Sequence, residues 1–259
     1  MTNIHSKTID VRGRKLGGGP PLICSPLIGK TRKRLLDEAA VVVAKAPDII
    51  EWRVDYFEDI ADTSAVVKAG RALRGVLAGV PLIFTRRSTR EGGQAIKLDD
   101  SGVVRLYETV GAEGLADLLD FEMDNSPGHV RKVVETAHRQ GVRVILSYHN
   151  FKKTPALKTL VRRFVDADRL SADVAKVAVM PRDLFDVLTL LSATAQAEAK
   201  ARIPLISMSM GPLGAVTRMV GGLFGSSLSF AVGEGSSAPG QLPIAELRKV
   251  YAVIERSRT

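Results

Sequence analysis

The chain alternates short apolar runs with segments of helical spacing, and this alternation limits the possible folds more than any other feature of the sequence. Eight runs rich in β-branched or apolar residues predict strands at 22–28, 49–54, 81–85, 115–122, 142–148, 174–180, 203–208 and 228–232. Helical patterns lie between them at 35–43, 65–77, 103–110, 130–137, 157–165, 184–193 and, after the last strand, 244–254. Such alternation predicts parallel βαβ units. Eight units in 259 residues favour a closed (β/α)8 TIM barrel over an open sheet, because this barrel typically takes about 250 residues.

Three segments depart from the regular pattern. Residues 9–14, followed by the glycine- and proline-rich stretch 17–21, predict a short hairpin-like segment ahead of the barrel. Several glycines and a proline crowd the region after Met210, so we expect a shortened or irregular seventh helix. The glycine-rich stretch 233–241 follows the last strand and is expected to form a mobile lid. No linker divides the chain, and a single barrel domain over 1–259 is expected.

Composition places the chain among ordinary globular proteins. It is 45% hydrophobic and 25% charged, which provides enough apolar material for a large core. Cys24 is the one cysteine, and the first residues lack the apolar centre of a signal peptide, so we expect a cytoplasmic protein. No uninterrupted apolar stretch approaches the roughly 20 residues that span a bilayer, and no membrane association is expected.

The formal net charge of +9 raises the question of nucleic-acid binding. The basic residues are scattered along the chain and mixed with acidic ones, and aromatic residues that could stack on bases are few. We therefore expect no nucleic-acid partner. A positive balance suits a small anionic substrate equally well, because it attracts the substrate by its field.

Lys176 interrupts the apolar run 174–180, which otherwise has the composition of a buried strand. A buried ammonium must find a partner or lose its proton, because transfer of a charge out of water is costly. The neutral amine is a nucleophile that forms a Schiff base with ketones or aldehydes. The alternative is a lysine whose charge reaches water over an apolar stem. Lys176 alone slightly favours the second interpretation.

Ionisable residues recur at the carboxyl ends of five predicted strands, where barrel enzymes carry their functional groups. Because side chains alternate along a strand, Glu51, Arg53 and Asp55 project to one side of the second strand. The other members of this group are Arg87 with Glu91 after the third strand, Asp120 and Glu122 in the fourth, His149 at the end of the fifth and Lys176 in the sixth. The fifth and sixth strands are neighbours in a barrel, so His149 is expected near Lys176. Taken alone, His149 fits a satisfied, partly buried histidine somewhat better than a catalytic one, but a base beside an amine suits imine chemistry.

Other motifs point away from metals and nucleotide cofactors. The remaining histidines show no metal-ligand spacing, and no metal site is expected. Gly29-Lys30-Thr31 lacks the first glycine of a phosphate-binding P-loop, because Cys24 stands in its place. Gly221-Gly222 with Gly225 follows no clear strand and only loosely matches a dinucleotide fingerprint. No cofactor is expected.

Taken together, six segments of the chain resemble the motifs of the type I 3-dehydroquinate dehydratases, in the order found in that family. They are Glu51-Trp52-Arg53-Val54-Asp55, Phe84-Thr85-Arg86-Arg87-Ser88-Thr89-Arg90-Glu91-Gly92-Gly93, Ser147-Tyr148-His149-Asn150-Phe151, Ala175-Lys176-Val177-Ala178-Val179-Met180-Pro181, Ser207-Met208-Ser209-Met210-Gly211 with Arg218, and Ser237-Ala238-Pro239-Gly240-Gln241. The resemblance implies a (β/α)8 barrel, usually a homodimer, that needs no cofactor and dehydrates 3-dehydroquinate to 3-dehydroshikimate in the shikimate pathway.

The resemblance also implies roles for nine residues. Lys176 would form the imine with the substrate ketone, His149 would be the general acid and base, and Glu91 would orient that histidine. The substrate-binding residues would be Glu51, Arg53 and Arg87 around the hydroxyl groups, Arg218 at the carboxylate, and Ser237 and Gln241 from the lid.

Two positions depart from the family pattern. Arg86 replaces a common aromatic residue, and by strand parity we expect it to face the helix layer while Arg87 points inward. Asn150 replaces a common aspartate after the histidine, which removes a charge beside the base. Two other functions share some of these features: a class I aldolase-like lyase has a buried lysine, and a metabolite-sensing barrel without catalysis has the fold. A phosphorylated sugar, the usual aldolase substrate, suits Arg218 and the lid less well than a carboxylate does.

Overall fold

The computed structural model describes residues 7–235 and 237–257. Its strands are β1 (Ile9–Val11), β2 (Arg14–Leu16), β3 (Leu22–Leu27), β4 (Ile49–Arg53), β5 (Leu82–Thr85), β6 (Leu118–Glu122), β7 (Arg143–Asn150), β8 (Val174–Val179), β9 (Leu205–Ser209), β10 (Leu228–Val232) and β11 (Leu242–Pro243). Its α-helices are α1 (Arg32–Val43), α2 (Thr63–Leu77), α3 (Asp100–Ala112), α4 (Pro127–Arg139), α5 (Leu157–Arg169), α6 (Leu184–Glu198), α7 (Gly211–Val220) and α8 (Ile244–Arg256). Strands and helices alternate from β3 onward, as predicted.

Strands β3 to β10 form the predicted (β/α)8 barrel. Each strand from β3 to β8 pairs in parallel with the next, and β10 returns to pair with β3. The seam between β9 and β10 closes through a bridge between Leu205 and Ser226, and through the Ser207 amide, which donates to the Ser226 hydroxyl at 3.0 Å. The short strand β11 extends the sheet at the outer end of β10.

The predicted N-terminal hairpin closes the amino end of the barrel. Strands β1 and β2 pair antiparallel around Arg12 and Gly13, which have φ angles of 50° and 75° and so form the tight turn that suits a hairpin. Val11 and Leu16 are buried in the same apolar cluster as the first residues of the barrel strands. This end of the barrel is therefore sealed by hydrocarbon, and polar chemistry is left to the other end.

Layers of side chains fill the barrel, and their polarity changes along its axis. The lowest layer comes from alternate strands and is apolar: Ile49, Leu118, Val174 and Leu228. The intervening strands supply a second apolar layer: Cys24, Ile83, Ile145 and Ile206. Two residues further along the first set of strands come Glu51, Asp120, Lys176 and Phe230, all buried. Since a TIM barrel stacks such four-residue layers, the ionisable groups are held in fixed positions above an apolar floor.

The seventh helix is irregular, as predicted. Helix α7 has 10 residues and passes directly into a 3-10 turn at Gly221–Phe224. The predicted element limits differ elsewhere by a few residues. Strand β6 begins at Leu118 instead of 115, because the Leu115 amide bonds to the Val110 carbonyl and ends helix α3. Strand β7 continues to Asn150, so that His149 lies within it.

Candidate active site

A cavity opens at the carboxyl end of the barrel. Its ionisable lining consists of Glu51, Arg53, Arg87, Glu91, His149 and Lys176. Apolar side chains, among them Phe151, Met208, Met210 and Phe230, form much of the remaining wall, and Ser237, Ala238 and Gln241 complete it from the loop after β10. Eight of the nine residues that the sequence singled out line this cavity, and Arg218 stands outside the lining. A mixed wall of this kind suits a small polar molecule with an apolar ring.

Lys176 is buried, with 4% of its surface exposed, and its amine lies between two carboxylates. Nζ donates a hydrogen bond of 2.8 Å to Asp120 Oδ2 and lies 3.6 Å from Glu51 Oε1. It also lies 4.3 Å from the centre of the Phe230 ring. The alternative that Lys176 reaches solvent is therefore wrong, and the amine is held within the cavity.

His149, on the strand next to that of Lys176, forms a largely enclosed pair with Glu91, and 9% and 6% of their side chains are exposed. Glu91 Oε2 accepts a hydrogen bond of 3.0 Å from the His149 backbone amide and lies 2.8 Å from Nδ1 of its ring. Burial lowers the pKa of His149 well below its usual value, and the cations of Arg87 and Lys176 lower it further. Burial also raises the pKa of Glu91, to about 8, against the opposing attraction of Arg87. The pair therefore holds an uncharged imidazole that can exchange a proton with a bound molecule.

The position of His149 relative to Lys176 follows from strand pairing. Ser147 pairs with Lys176 and His149 with Ala178 across β7 and β8, so the imidazole lies one inward-facing position nearer the cavity mouth than the amine. Both side chains line the same cavity. The prediction that the two come together is confirmed.

Arg87 connects the polar side chains beneath the cavity. Its guanidinium donates to Asp120 Oδ1 at 2.7 Å, to Ser147 Oγ at 2.9 Å and to Glu122 Oε1 at 3.3 Å. Burial alone would lower the pKa of Arg87, but the carboxylates of Asp120 and Glu122 raise it above the ordinary arginine value. Arg87 is therefore a permanent cation inside the barrel, with the inward direction that strand parity predicted.

Arg53 is held by a residue that does not itself line the cavity. Asp55 accepts two hydrogen bonds of 2.8 Å from the Arg53 guanidinium, and it also accepts from the backbone amides of Arg87 and Gln94 at 3.2 and 3.1 Å. This bidentate pair fixes the plane of the guanidinium. Asp55 lies in a 3-10 turn after β4, so the predicted strand alternation does not extend to it, and the sequence gave no indication of this supporting role.

Arg218 is a buried cation beside the cavity wall that carries no carboxylate partner among the described residues. Its Nη1 donates to the Phe230 carbonyl at 3.2 Å and its Nη2 to the Pro239 carbonyl at 3.3 Å, while its Nε has no hydrogen-bond partner. Burial lowers the pKa of Arg218 to about 10. A buried guanidinium with an unused donor is a suitable site for an anionic group that arrives with a ligand.

The loop after β10 lies over the cavity and contacts several parts of the barrel. The Gln241 side chain accepts from the Ser237 amide and donates to the Ser237 hydroxyl, both at 3.3 Å. Arg34 of α1 pairs with Glu234, and the Gly211 amide donates to the Pro239 carbonyl at 3.2 Å. The mobility of this loop stays a prediction.

The structure explains why two glycines follow Glu91 in the long motif around β5. Gly92 has a φ of 81°, and a Cβ there would lie 2.4 Å from the Phe151 ring. A Cβ on Gly93 would lie 1.9 Å from the Arg87 carbonyl oxygen. Any side chain at these positions would therefore displace the turn that carries Glu91 toward His149.

Residues 23–258 match the profile of the family described as type I 3-dehydroquinase. The chain belongs to this family. It is similar to the 3-dehydroquinate dehydratase of Albidiferax ferrireducens, with 49% identity over 253 residues, 97% of this chain and 96% of that protein. The crystal structure of 3-dehydroquinate dehydratase from Geobacillus kaustophilus has a TM-score of 0.96 and 43% identity, covering 98% of this chain and 99% of that one. The type I enzyme from Clostridium difficile, with covalently modified comenic acid, has a TM-score of 0.94 and 38% identity, covering 97% of this chain and 99% of that one.

Membership of the type I 3-dehydroquinase family confirms the resemblance drawn from the motifs and the enzyme class that it implies. It also favours the dehydratase over the aldolase-like and metabolite-sensing alternatives. In the part of the chain that the structure describes, no group of three or more His, Cys, Asp or Glu is arranged to hold a metal ion. Of the helices in that same part, none has the length and apolar character to cross a membrane.

Proposed function

We propose that this type I 3-dehydroquinase converts 3-dehydroquinate to 3-dehydroshikimate through an imine on Lys176. The observation that carries the proposal is the place of the Lys176 amine, which is buried in a cavity that a neutral and largely enclosed imidazole also lines. The type I enzyme from Clostridium difficile, with covalently modified comenic acid, supports covalent chemistry in this family.

Imine formation conserves charge at the lysine nitrogen. Nζ adds to the carbonyl carbon of the substrate ketone, the carbonyl oxygen leaves as water, and an iminium takes the place of the ammonium. The iminium withdraws electrons more strongly than the ketone, so a proton on the adjacent carbon becomes removable by a base of near-neutral pKa.

His149 is the base that removes this proton. Its pKa is lowered by burial, so the imidazole is free to accept the proton, and Glu91 beside Nδ1 favours the form whose Nε2 is available. Proton removal gives an enamine. The enamine then expels the hydroxyl group at the β position, which leaves as water with the proton from the imidazolium, and the iminium is restored. Water then releases the product and the free lysine.

Substrate binding is assigned to the remaining lining residues. Glu51, Arg53 and Arg87 line the cavity, and their proposed role is to contact the hydroxyl groups or the polar side chains around them. Ser237 and Gln241 of the loop after β10 line it too and would contact the substrate from that loop. Arg218 is proposed to bind the substrate carboxylate, since among residues 7–235 and 237–257 its Nε has no hydrogen-bond partner and its charge has no carboxylate partner. Such a contact would fix the ring so that the reacting carbon faces His149.

We further propose a cytoplasmic homodimer built from one barrel domain per chain. Neighbouring helices α6 and α7 expose Leu184, Phe185, Leu188, Leu213 and Val216. A cluster of exposed apolar side chains of this kind favours burial against a second copy. Light scattering of the wild type and of the Phe185→Glu variant tests the dimer, which is expected to dissociate in the variant.

Two measurements on the same samples test the proposed activity and its mechanism. The product is a conjugated enone, so its ultraviolet absorbance follows turnover of 3-dehydroquinate. Borohydride added with the substrate should reduce the iminium, and peptide mass spectrometry should find the adduct on Lys176. Lys176→Ala should lose both signals, while Lys249→Ala, which alters an exposed lysine of α8, should keep them. Turnover without a trapped Lys176 would refute the imine mechanism, and no turnover of 3-dehydroquinate would refute the activity.

A further inference from the structure

Asp120 is fully buried in the barrel and has no part in the mechanism given so far. It is completely shielded from solvent, and it does not line the cavity. It lies in the same barrel layer as Glu51 and Lys176. Alternate strands supply this layer, with Glu51 on β4, Asp120 on β6 and Lys176 on β8. A carboxylate in such a place needs a cationic or hydrogen-bonding partner, because its desolvation is costly.

The two oxygens of Asp120 are committed to different partners. Oδ2 accepts from Lys176 Nζ at 2.8 Å. Oδ1 accepts from Arg87 Nη2 at 2.7 Å and from the Ser147 hydroxyl at 2.7 Å. Burial opposes ionisation of Asp120, but the charges of Arg87 and Lys176 outweigh it and hold its pKa well below the usual range. The carboxylate is thus a fixed anion, and its Oδ2 is directed at the reacting nitrogen.

Glu51, the second carboxylate near Lys176, is in a different situation. It is farther from Nζ, at 3.6 Å, it accepts from the Thr85 hydroxyl at 2.9 Å, and it lines the cavity. A bound substrate meets Glu51 directly, whereas Asp120 lies beneath the cavity surface and keeps its contact with Nζ.

We propose that Asp120 is a positioning residue that serves as the permanent counterion of the Lys176 nitrogen, first as ammonium and then as iminium. This inference rests on the imine mechanism proposed above. The overall step joins an ammonium and a ketone to give an iminium and water, so the nitrogen carries one positive charge before and after. A fixed anion in a low-dielectric site stabilises that charge without having to reorganise when the bond forms.

The Asp120→Asn variant tests the role of this charge. Asparagine keeps the shape and one acceptor oxygen, but the nitrogen of Lys176 loses its nearest anion. Arg87 still has the carboxylate of Glu122 as a partner. We expect kcat to fall by about 100-fold, as with other losses of a preorganised electrostatic contact, and the rate of borohydride trapping to fall with it. KM should change by less than about threefold, because Asp120 does not reach the substrate. The matched control, Asp37→Asn, removes an exposed carboxylate of α1 and should match the wild type in all three quantities.

A second variant covers the case in which Asp120→Asn does not fold. Ser147→Ala keeps the charge of Asp120 but removes the hydroxyl group that donates to Oδ1, so the carboxylate is held less firmly. We expect a fall in kcat of about tenfold, the value of a lost hydrogen bond to a charged group, with KM unchanged.

The outcomes separate this inference from the proposed function. Wild-type turnover with no adduct on Lys176 would overturn the imine mechanism and the role of Asp120 with it. A trapped wild type together with Asp120→Asn that keeps kcat and the trapping rate within about twofold would overturn the counterion role alone. A variant that loses turnover yet is trapped as fast as the wild type would also overturn it, because the iminium would then form equally well without the anion beside the nitrogen.

Discussion

Glu91 contacts His149 twice through a single oxygen: Oε2 accepts from the His149 backbone amide at 3.0 Å and lies 2.8 Å from Nδ1 of the ring. The backbone contact fixes the carboxylate relative to strand β7, and the ring contact fixes the imidazole relative to the carboxylate. The two groups therefore titrate as a pair. The same oxygen lies 3.6 Å from Arg87 Nη1, which places a permanent cation beside the shared proton.

This pairing predicts a rising pH profile for kcat/KM. Proton abstraction requires the form in which Nε2 has a free lone pair and the Glu91 carboxylate faces Nδ1. Burial raises the pKa of Glu91 to about 8, so the pair gives up one proton as the pH rises, and the form with a free Nε2 lone pair then acts as the base. Activity should therefore fall as the pH drops below about 8, with the slope of one ionisation. Initial rates at low substrate concentration between pH 5 and 10 measure the profile.

Glu91→Gln provides the comparison. The amide keeps the shape of the side chain but cannot ionise. The rise of kcat/KM with pH should therefore move to the lower pKa of His149 alone. The value of kcat should also fall, by about 10- to 100-fold, because the imidazolium loses its neighbouring anion. If kcat/KM of Glu91→Gln rose over the same pH range as in the wild type, the ionisation would belong to another group.

Arg218→Lys tests the proposed carboxylate contact. The lysine keeps the charge but lacks the planar fork, and its single donor group cannot bond to the Phe230 and Pro239 carbonyls and to a carboxylate in the same geometry. We expect KM to rise by about 10- to 100-fold, the value of one or two charge-assisted hydrogen bonds, with a smaller change in kcat. Steady-state kinetics measure both. Arg202→Lys, at an exposed ion pair with Asp168, should leave KM unchanged; an equal KM in both variants would exclude Arg218 from substrate binding.

The sequence predicted which residues face inward, but not which of them touch. Period two placed Asp120 and Glu122 on the inner face of β6, and the structure agrees. The contact of Asp120 with Lys176 depends on closure of the barrel, which brings together strands that are separated by 56 positions. Local pattern carries no information on such a pair, and for that reason Asp120 received no role from the sequence.

Element ends were the other weak point of sequence-based prediction. His149 and Asn150 are poor strand formers, so the pattern ended β7 at 148. The strand nevertheless continues, because these two residues pair with Ala178 and Val179 of β8. Helix α5 similarly runs to Arg169, beyond the predicted end at 165. Its last turn is polar and exposed on one side, so the apolar pattern stopped before the helix did.

Gly240→Ala tests the contribution of the loop after β10 to binding. Gly240 has a φ of 80°, and a Cβ there would lie 2.4 Å from the Gly211 carbonyl oxygen, which is a backbone atom that cannot turn aside. The loop must therefore shift, and it carries the adjacent Gln241 with it. We expect KM to rise by about tenfold or more, since strain of this kind costs about 1–3 kcal/mol, while the midpoint of thermal unfolding changes little.

Gly75→Ala is the matched control for this substitution. Gly75 lies within helix α2, and a Cβ there meets no atom within 4 Å. Alanine should leave KM unchanged and stabilise the protein by about 0.5–1 kcal/mol, because it reduces the backbone entropy of the unfolded chain. Equal KM values for the two alanine variants would show that the loop makes no contribution to binding.

Tyr107→Phe tests how the row of aromatic side chains Phe84, Tyr107 and Phe121 supports the site. Tyr107 packs edge-to-face between Phe84 and Phe121, and its hydroxyl donates to the Asp120 carbonyl at 2.7 Å and accepts from the Arg86 amide at 2.8 Å. Phenylalanine keeps the ring contacts but leaves a buried amide without its partner. We expect the free energy of unfolding to fall by about 2 kcal/mol, measured by urea denaturation. Thr109→Val removes an exposed hydroxyl from the same helix and should change it by less than about 0.5 kcal/mol. An equally small loss of unfolding free energy in both variants would show that the Tyr107 hydroxyl does not anchor the backbone of β6 beneath Lys176.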